Sequence, residues 1–377
     1  MRIAVNTRFL LKQKMEGFGW FTYEVCQRMV KAHPEHEFLF YFDRPYDERF
    51  VFGSNVTPYI IYPPARHPIL YRIWFDASVR TALAKHHPDV FFSPDGFLSL
   101  TTRTPQVPVI HDLNFEHHPE QLRARDRYYF RKFFPKFARK AEHIITVSDY
   151  SKQDIVDTYG VKQDKVTVCY NGASESFRPL TDIEKVAAKK RFFDGRSYFI
   201  FVGALHPRKN VEGLFRSYDA FRESTDSDTG LLIVGEKLWS HDGVEQAYEA
   251  MRFKDSVRFS GHLPSEDLVQ AVGGARVLVF PSFFEGFGIP LVEAMRAGVP
   301  ILSSNRTSLP EVGGDAALYF DPEDLSAMTD AMKQIDADEA LRSKLQEIGL
   351  TRGRTFSWDR TAEGVWNVLE GVVARKR

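Results

Sequence analysis

The sequence has 377 residues, of which 43% are hydrophobic, and 50 basic side chains balance 50 acidic ones. This length suits two domains with sizeable cores, and zero net charge argues against nucleic acid or a polyanion as partner. Cys26 and Cys169 are the only cysteines, which excludes a disulfide framework and a cysteine-built zinc site, so we expect a protein of the reducing cytosol.

No signal peptide and no transmembrane segment are predicted. The first residues lack the apolar core and cleavage site of a signal peptide. No apolar run approaches the roughly 20 residues that span a bilayer. We therefore expect a cytoplasmic location.

Short apolar runs alternate with segments of helical length along the whole chain. They are rich in Val, Ile and Phe and apolar on both faces, which is typical of parallel sheets covered by helices on both sides. The pattern predicts an α/β protein with two such sheets. The predicted strands are residues 2–6, 38–42, 89–93, 108–112 and 143–148 in the first half, and 198–203, 230–235, 257–261, 276–280 and 300–304 in the second.

The amino-acid composition changes between the two halves of the chain. Residues 171–197 contain no strand and are polar, with Gly, Ser and Pro. We therefore predict a first domain at 1–172, a linker at 173–196, a second domain at 197–355 and a final helical segment at 356–377. Ligands of doubly wound sheets bind at the carboxyl ends of the strands, so we expect the chemistry in a central cleft between two Rossmann-like domains.

The stretch "FPSFFEGFGIPLVEAMRAG" predicts a strand, a glycine-rich turn and a helix that begins at Pro290. The unpaired N–H groups of Leu291 and Val292 at such a helix start favour a phosphate. Glu293 is expected in the first helical turn, and Glu285 in the loop before it.

Two carboxylates beside a phosphate site suggest sugars on both sides of that phosphate. Carboxylates accept the paired donors of vicinal hydroxyl groups, and two sugars joined through a diphosphate make a nucleotide-sugar. The alternatives are a first-turn glutamate favoured by the helix dipole for Glu293 and a solvated loop residue for Glu285.

A diphosphate leaving group needs positive charge. Arg208 and Lys209 follow a predicted strand and precede a helix, so we expect them to supply it; the alternative is a solvated basic loop. The Asp-X-Asp sequences that hold a metal in other transferases occur only at residues 226–228 and 336–338. Neither follows a buried strand, so we interpret both as surface features and predict no metal site.

The segment "EGFGIPLVE" closely resembles the Glu-seven-residues-Glu motif of retaining GT-B glycosyltransferases, a family that includes bacterial lipopolysaccharide and O-antigen mannosyltransferases. Further segments resemble this family in the expected order and cover essentially the whole chain. They are residues 16–25, 109–113, 147–155, 168–179, 201–210, 309–322 and 356–362.

The resemblance implies the GT-B fold, with a C-terminal helix that crosses back to the first domain, and it assigns roles to individual residues. As catalytic residues it implies His111, at the transferred sugar, Glu285, at the hydroxyls of that sugar, and Arg208 and Lys209, at the diphosphate. It implies Asp112 on the acceptor side. For donor binding it implies Gly17, Gly19, Gly203, Gly235, His262, Leu263, Gly286, Phe287, Gly288, Leu291, Val292 and Glu293, the last at the ribose. The chain departs from some relatives in having Ala204, where they carry Arg.

The implied activity is transfer of a hexose with retention of configuration, without a metal or other cofactor. The implied donor is a nucleotide-diphosphate sugar, and the resemblance favours GDP-mannose. The implied acceptor is a glycan or lipid-linked glycan in cell-surface polysaccharide synthesis. Two alternatives share the architecture: a sugar-nucleotide epimerase that does not hydrolyse its substrate, and a non-catalytic subunit that binds nucleotide-sugars.

Residues 123–143 combine aromatic side chains at helical spacing with many cations. We expect the aromatic stripe to pack into the core of the first domain and the cations to be solvated. The alternative is a basic amphipathic helix on the inner face of an anionic membrane, where it presents a lipid-linked acceptor.

Overall fold

The computed structural model describes residues 1–12, 15, 17–236 and 242–376, and the chain divides into two compact units. The first unit consists of Met1–Gly172 together with the chain from Ser357 onwards, and the second is Ala173–Phe356. Each unit has its own parallel sheet with helices between the strands, so the predicted α/β class with two doubly wound domains is confirmed.

The first unit builds a parallel sheet in the order β3-β2-β1-β4-β5, and an isolated bridge between Val109 and Ile145 connects it to the pair β6-β7. Its strands are β1 (Arg2–Asn6), β2 (Glu37–Phe42), β3 (Val56–Ile60), β4 (Val90–Ser93), β5 (Gln106–Pro108), β6 (Ile144–Thr146) and β7 (Val166–Val168). Its helices up to β7 are α1 (Gly17–Ala32), α2 (Pro68–Ile73), α3 (Arg80–His86), α4 (Asn114–His117), α5 (Ala124–Lys140) and α6 (Asp149–Tyr159).

The second unit has a six-stranded parallel sheet in the order β10-β9-β8-β11-β12-β13. Its strands are β8 (Tyr198–Val202), β9 (Gly230–Val234), β10 (Val257–Gly261), β11 (Val277–Phe280), β12 (Ile301–Ser304) and β13 (Ala317–Phe320). Its helices are α7 (Asp182–Phe193), α8 (Val211–Glu223), α9 (Asp242–Glu249), α10 (Ser265–Gly273), α11 (Ile289–Arg296), α12 (Leu309–Gly313), α13 (Leu325–Ala337) and α14 (Glu339–Gly353).

Each sheet has one point at which the direction of strand addition reverses. It lies between β1 and β4 in the first unit and between β8 and β11 in the second. The connections that leave adjacent strands at this point go to opposite faces of the sheet and leave a crevice at the carboxyl ends, which is where such folds bind ligands. The candidate residues of each unit are therefore expected beyond the ends of these four strands.

The last helix, α15 (Trp358–Ala374), belongs to the first unit, as predicted. It packs on α1, where Trp366 stacks on the His33 ring with the centroids 3.5 Å apart. Its start is fixed against Gly172, since a Cβ there would lie 2.2 Å from the Trp358 nitrogen.

Several details differ from the sequence predictions. The strand predicted at 108–112 is β5, which ends at Pro108, so His111 and Asp112 lie beyond the strand rather than at its end. The expected linker, residues 173–196, belongs to the second unit and contains α7, whose start Thr181 and Glu184 stabilise with a capping box.

The aromatic stripe of α5 is part of the first unit's core. Tyr129, Phe133, Phe134 and Phe137 are buried there, while the cations of the helix lie on its outer side, as expected for the core-packing interpretation. No helix in the described part of the chain is both long and apolar enough to cross a membrane.

Candidate functional site

A short turn after β8 positions two cations. Residues Pro207–Lys209 form a single 3-10 turn, and Nδ1 of His206 caps it by accepting the Arg208 N–H at 3.3 Å. Asn210 then adopts a left-handed backbone, with φ 53°, and its side chain caps the start of α8. Arg208 and Lys209 are thereby held at the carboxyl end of β8, as the sequence predicted.

Glu285, in the loop between β11 and α11, accepts hydrogen bonds from both cations. Lys209 Nζ lies 2.5 Å from Oε1, and Arg208 Nη1 lies 2.8 Å from Oε2. Glu285 is 6% exposed and Lys209 8%. Arg208 Nη1 also donates to the Phe284 carbonyl at 2.9 Å, and Lys209 Nζ lies 4.8 Å from the centroid of the Phe280 ring. Groups from the two strands that flank the reversal point are thus in direct contact.

The two cations control the protonation of Glu285. Burial by itself raises the pKa of this carboxyl, but the charges and hydrogen bonds of Arg208 and Lys209 outweigh burial and lower the pKa to about 2. The carboxylate is therefore ionised at neutral pH, and the three side chains together carry one net positive charge.

The three side chains have the chemistry of an anion site that also recognises hydroxyl groups. An ammonium has three N–H donors and a guanidinium five, so cations that bind a carboxylate can bind phosphate oxygens at the same time. The ionised carboxylate accepts hydrogen bonds from alcohols. An anionic ligand that carries hydroxyl groups matches both properties.

The loop of Glu285 rests on two residues that the sequence analysis did not single out. Thr307 Oγ1 accepts the Glu285 N–H at 3.1 Å, and Ser308 Oγ donates to the carbonyl oxygens of Glu285 and Phe287 at 2.9 and 3.2 Å. Thr307 has φ 55°, a conformation that β-branched residues rarely adopt and that marks strain at functional sites. The only sequence signal is their position, in the polar loop after β12, the strand next to β11.

The glycine-rich turn leads into α11, but its details differ from the prediction. Gly288 is the N-cap, with φ 99°, and α11 begins at Ile289, so Pro290 is the second helical residue rather than the first. The N–H of Leu291, predicted to be unpaired, donates to the Gly288 carbonyl at 3.0 Å. Val292 is buried one position later, and Gly286 and Phe287 are buried in the preceding loop.

Glu293 lies in the second turn of α11, not in the first as predicted. Its side chain is partly buried, and burial raises the pKa of this carboxyl to about 7. Within the described residues, no cation or hydrogen-bond donor pairs with the Glu293 carboxylate. Helix dipole compensation in the first turn therefore does not explain this glutamate.

Two glycines bring the ends of β8 and β9 together. Gly203 and Gly235 have φ of 154° and 149°, and a Cβ on Gly235 would lie 2.0 Å from the Gly203 carbonyl oxygen. The Gly235 N–H donates to the Gly261 carbonyl at 2.9 Å. His262, which is exposed, and Leu263, which is partly exposed, follow the end of β10 at the same edge. Their predicted place at the base of a nucleotide stays a prediction.

In the first unit, His111 is held in one orientation. Its Nε2 lies 2.8 Å from the Pro94 carbonyl, and its ring packs against Phe18 and Phe21 at centroid distances of 4.8 and 4.9 Å. Burial lowers the pKa of this imidazole, so it is neutral at pH 7. Asp112 accepts the Asn114 N–H at 3.0 Å, and its predicted place on the acceptor side stays a prediction.

The predicted glycine loop at Gly17 and Gly19 is the first turn of α1. A Cβ on Gly19 would lie 2.6 Å from the Phe9 carbonyl oxygen, so the backbone requires glycine there. Among the described residues, no atom lies within 4 Å of a Cβ placed on Gly17. Their role in donor binding stays a prediction.

Both Asp-X-Asp sequences lack the features of a metal site. Asp226 and Asp228 are exposed. Asp336 forms an ion pair with Arg276 at 2.7 Å, and Asp338 caps α14. Among the described residues, one group of three His, Cys, Asp or Glu has ligand atoms within 4.8 Å of one another, and it is His33, Glu35 and His36 in the first unit.

Comparison with known proteins finds two glycosyltransferase models that match successive parts of the chain. Residues 182–352 match the model of the glycosyl transferases group 1, and residues 15–177 match that of glycosyltransferase family 4. The O-antigen chain mannosyltransferase B of Escherichia coli is 28% identical over 364 residues, which cover 93% of this chain and 94% of the relative.

Solved structures share the fold. Sucrose-phosphate synthase from Thermosynechococcus elongatus has a TM-score of 0.79 at 18% identity, over 99% of each chain. The Anabaena protein Alr3699/HepE, solved with UDP-glucose, has a TM-score of 0.74 at 16% identity, over 98% of this chain and all of that one. The chain is therefore a glycosyltransferase with the GT-B fold, and it is similar to bacterial O-antigen mannosyltransferases.

Proposed function

We propose that this glycosyltransferase moves a hexose from a nucleotide-diphosphate sugar to a glycan or lipid-linked glycan during synthesis of a cell-surface polysaccharide. The observation that carries the proposal is the contact of Arg208 and Lys209 with the buried Glu285 at the reversal point of the second sheet. This contact combines two fixed cations with one ionised carboxylate, the pair of properties that a sugar diphosphate requires.

In the proposed donor complex, Arg208 and Lys209 bind the diphosphate, and Glu285 accepts hydrogen bonds from hydroxyls of the transferred sugar. Negative charge grows on the diphosphate as the glycosidic bond breaks, and preorganised cations stabilise that charge without reorganisation. The turn that caps α8 and the loop held by Thr307 fix both partners in advance.

The ribose is assigned to Glu293. Its carboxylate has a raised pKa and no partner in the described chain, so two vicinal hydroxyls would supply the hydrogen bonds that it lacks. Binding then ionises Glu293 more fully, because hydrogen bonds to a carboxylate favour its charged form.

The proposed transfer needs no metal ion or other cofactor. Support comes from the side chains: the two cations supply the charge that a metal supplies in other transferases, and Asp336 and Asp338 have structural partners. A metal requirement for donor binding would contradict this part of the proposal.

The proposed transfer retains the anomeric configuration by attack on the face that the diphosphate leaves. The leaving phosphate takes the proton of the acceptor hydroxyl, so no covalent glycosyl-enzyme forms. Glu285 accepts from two cations, which leaves this carboxylate a poor nucleophile. Detection of a glycosylated Glu285 by mass spectrometry would overturn this part.

GDP-mannose is the proposed donor, with support from the mannosyltransferase relative. The test includes other nucleotides as competitors of GDP-mannose. Purified protein is incubated with GDP-mannose, UDP-glucose or ADP-glucose and a membrane extract that supplies glycan acceptors, and phosphorus NMR follows the nucleotide.

A transferase releases the nucleoside diphosphate and adds the sugar to the glycan. An epimerase converts the donor into a second nucleotide-sugar without release when no acceptor is present. A binding subunit changes neither. Release that requires acceptor and persists in EDTA supports the proposal, and either of the other outcomes replaces it.

A further inference from the structure

A buried ion pair occupies the reversal point of the first sheet. Arg8 follows β1 and Asp95 follows β4, and Arg8 Nε lies 2.5 Å from Asp95 Oδ2. Their side chains are 3% and 2% exposed. Charged side chains are almost never buried to this extent unless they are paired, as these two are.

Further contacts fix both side chains of the Arg8–Asp95 ion pair. The Arg8 guanidinium carbon lies 4.8 Å from the Phe9 ring centroid and 4.3 Å from that of Phe97. Asp95 Oδ1 accepts from Ser93 Oγ at 3.1 Å and from the Phe97 N–H at 3.2 Å. The pair therefore has one geometry, imposed by aromatic faces on one side and by the end of β4 on the other.

This geometry reaches His111 through one peptide group. Pro94 and Asp95 occupy the two central positions of a turn closed by the Gly96 N–H and the Ser93 carbonyl at 3.3 Å. The carbonyl oxygen of Pro94, bonded directly to the Asp95 nitrogen, lies 2.8 Å from His111 Nε2. A carbonyl only accepts, so the neutral ring carries its proton on Nε2 and its lone pair on Nδ1.

We propose that Arg8 and Asp95 are positioning residues, which hold the Pro94 carbonyl so that His111 stays in the Nε2–H tautomer with Nδ1 as acceptor. The proposal rests on the proposed function and on the role that the family resemblance implies for His111, which is contact with the transferred sugar. In that role, Nδ1 accepts a hydrogen bond from a sugar hydroxyl. A rotated ring or the other tautomer would present a donor instead.

Fold stability alone is a weak explanation of this pair. Replacing a buried ion pair by apolar residues of similar volume is often neutral or stabilising, because desolvation offsets the attraction of the charges. The position of this pair at the ligand-binding edge of the sheet is better explained by the groups that the pair orients.

The test uses the full chain with three changes. Asp95→Asn keeps the shape of the side chain and removes its charge, and Arg8→Met with Asp95→Leu replaces the pair by apolar groups. Asp43→Asn is the matched control, because Asp43 is equally buried after β2 and accepts from Arg44 at 2.5 Å and from the Ala65 N–H at 2.8 Å.

Nitrogen NMR of protein labelled with ¹⁵N-histidine reads the tautomer directly, and the His111 signals are assigned by their loss in His111→Gln. We expect wild type and Asp43→Asn to show protonated Nε2 and unprotonated Nδ1. We expect Asp95→Asn and the double variant to show a mixture of tautomers. A separate kinetic assay follows the release of nucleoside diphosphate. In Asp95→Asn and in the double variant, kcat should fall at least tenfold, while the KM for the donor changes less than twofold.

Unchanged His111 signals with kcat within twofold of wild type in either folded variant would overturn the proposal. If Asp95→Asn does not fold, the double variant decides. Arg8→Lys is a further variant, because it keeps the charge but loses the planar guanidinium that contacts Phe9 and Phe97. Failure of the proposed function looks different, since wild type itself would then release no nucleoside diphosphate while the tautomer measurement still reports on positioning.

Discussion

Glu293 offers a test in which stability and ligand binding should change in opposite directions. Glu293→Gln keeps the shape of a side chain in the second turn of α11 and removes its charge. Because burial raises the pKa of this carboxyl from 4.5 to about 7, its ionisation costs the folded state more than the unfolded one. The variant removes that cost.

The sign and size of the change in the free energy of unfolding follow from proton binding by Glu293. Between pH 4.5 and about 7 the unfolded chain has lost the Glu293 proton and the folded chain keeps it, so the free energy of unfolding falls as pH rises. At ~1.4 kcal/mol per pH unit, the full window corresponds to ~3 kcal/mol. Glu293 is partly exposed, so solvent screening reduces this figure, and we expect ~1–3 kcal/mol.

The assay is urea unfolding at pH 5, 6, 7 and 8 without nucleotide, on wild type, Glu293→Gln and the control Glu266→Gln, which changes an exposed residue in the first turn of α10. Relative to wild type, Glu293→Gln should gain stability from pH 5 to pH 8, whereas Glu266→Gln should show no such trend.

In the same samples, Glu293→Gln should bind nucleoside diphosphate at least tenfold more weakly, since an amide accepts fewer hydrogen bonds from a ribose than a carboxylate does. A stability difference that stays constant from pH 5 to pH 8 would refute the account of the burial of Glu293. Unchanged nucleotide affinity would refute its assignment to the ribose.

The remaining predictions concern the cation Lys209, the loop that contains Thr307 and the helix α5. Lys209→Met should lower kcat for donor turnover at least 100-fold and raise the pKa of Glu285, because one of the two cations that hold this carboxylate is lost. Thr307→Gly should relieve the strain at φ 55° yet lower donor affinity, because the Glu285 N–H loses its acceptor. Reversing the charges of Arg131 and Lys132 should reduce cosedimentation with anionic vesicles, if α5 contacts the membrane as the alternative interpretation holds.

Each of these has a control and a contrary result. Lys254→Met removes a partly exposed lysine paired with Glu249 and should leave turnover unchanged. Equal activity of Lys209→Met and wild type would exclude Lys209 from the site. For the loop, unchanged affinity of Thr307→Gly for the donor would contradict its supporting role. For the helix, vesicle binding that charge reversal leaves unaltered would dispose of the membrane contact.

Sequence patterns predicted the central strands well and also the edge strand β10, but they missed the edge strands β3 and β13. Strands such as β8, β9 and β11 are buried on both faces and therefore appear as continuous apolar runs. At the sheet edges, β3 and β13 have partly exposed faces and mixed residues, and β3 contains Pro58, so neither gives such a run. The strands that position the second-unit site were thus the predictable ones.

The residue types of the candidate site were predictable, but their contacts were not. Lys209 and Glu285 lie 76 positions apart, and their 2.5 Å contact exists because β8 and β11 are neighbours in the sheet. Strand order is a property of the whole fold that no local pattern encodes. Thr307 gave no signal beyond its position in the polar loop after β12, since its importance lies in a backbone conformation and one hydrogen bond.

The central claim is that two cations, and not a metal, hold the diphosphate. The most direct test is calorimetric titration of GDP, UDP and ADP, each with magnesium and with EDTA, on wild type, Lys209→Met and Glu293→Ala. The account predicts that one nucleotide binds equally well in EDTA and that both variants lose this binding. Binding that requires magnesium, or that survives in both variants, would contradict it.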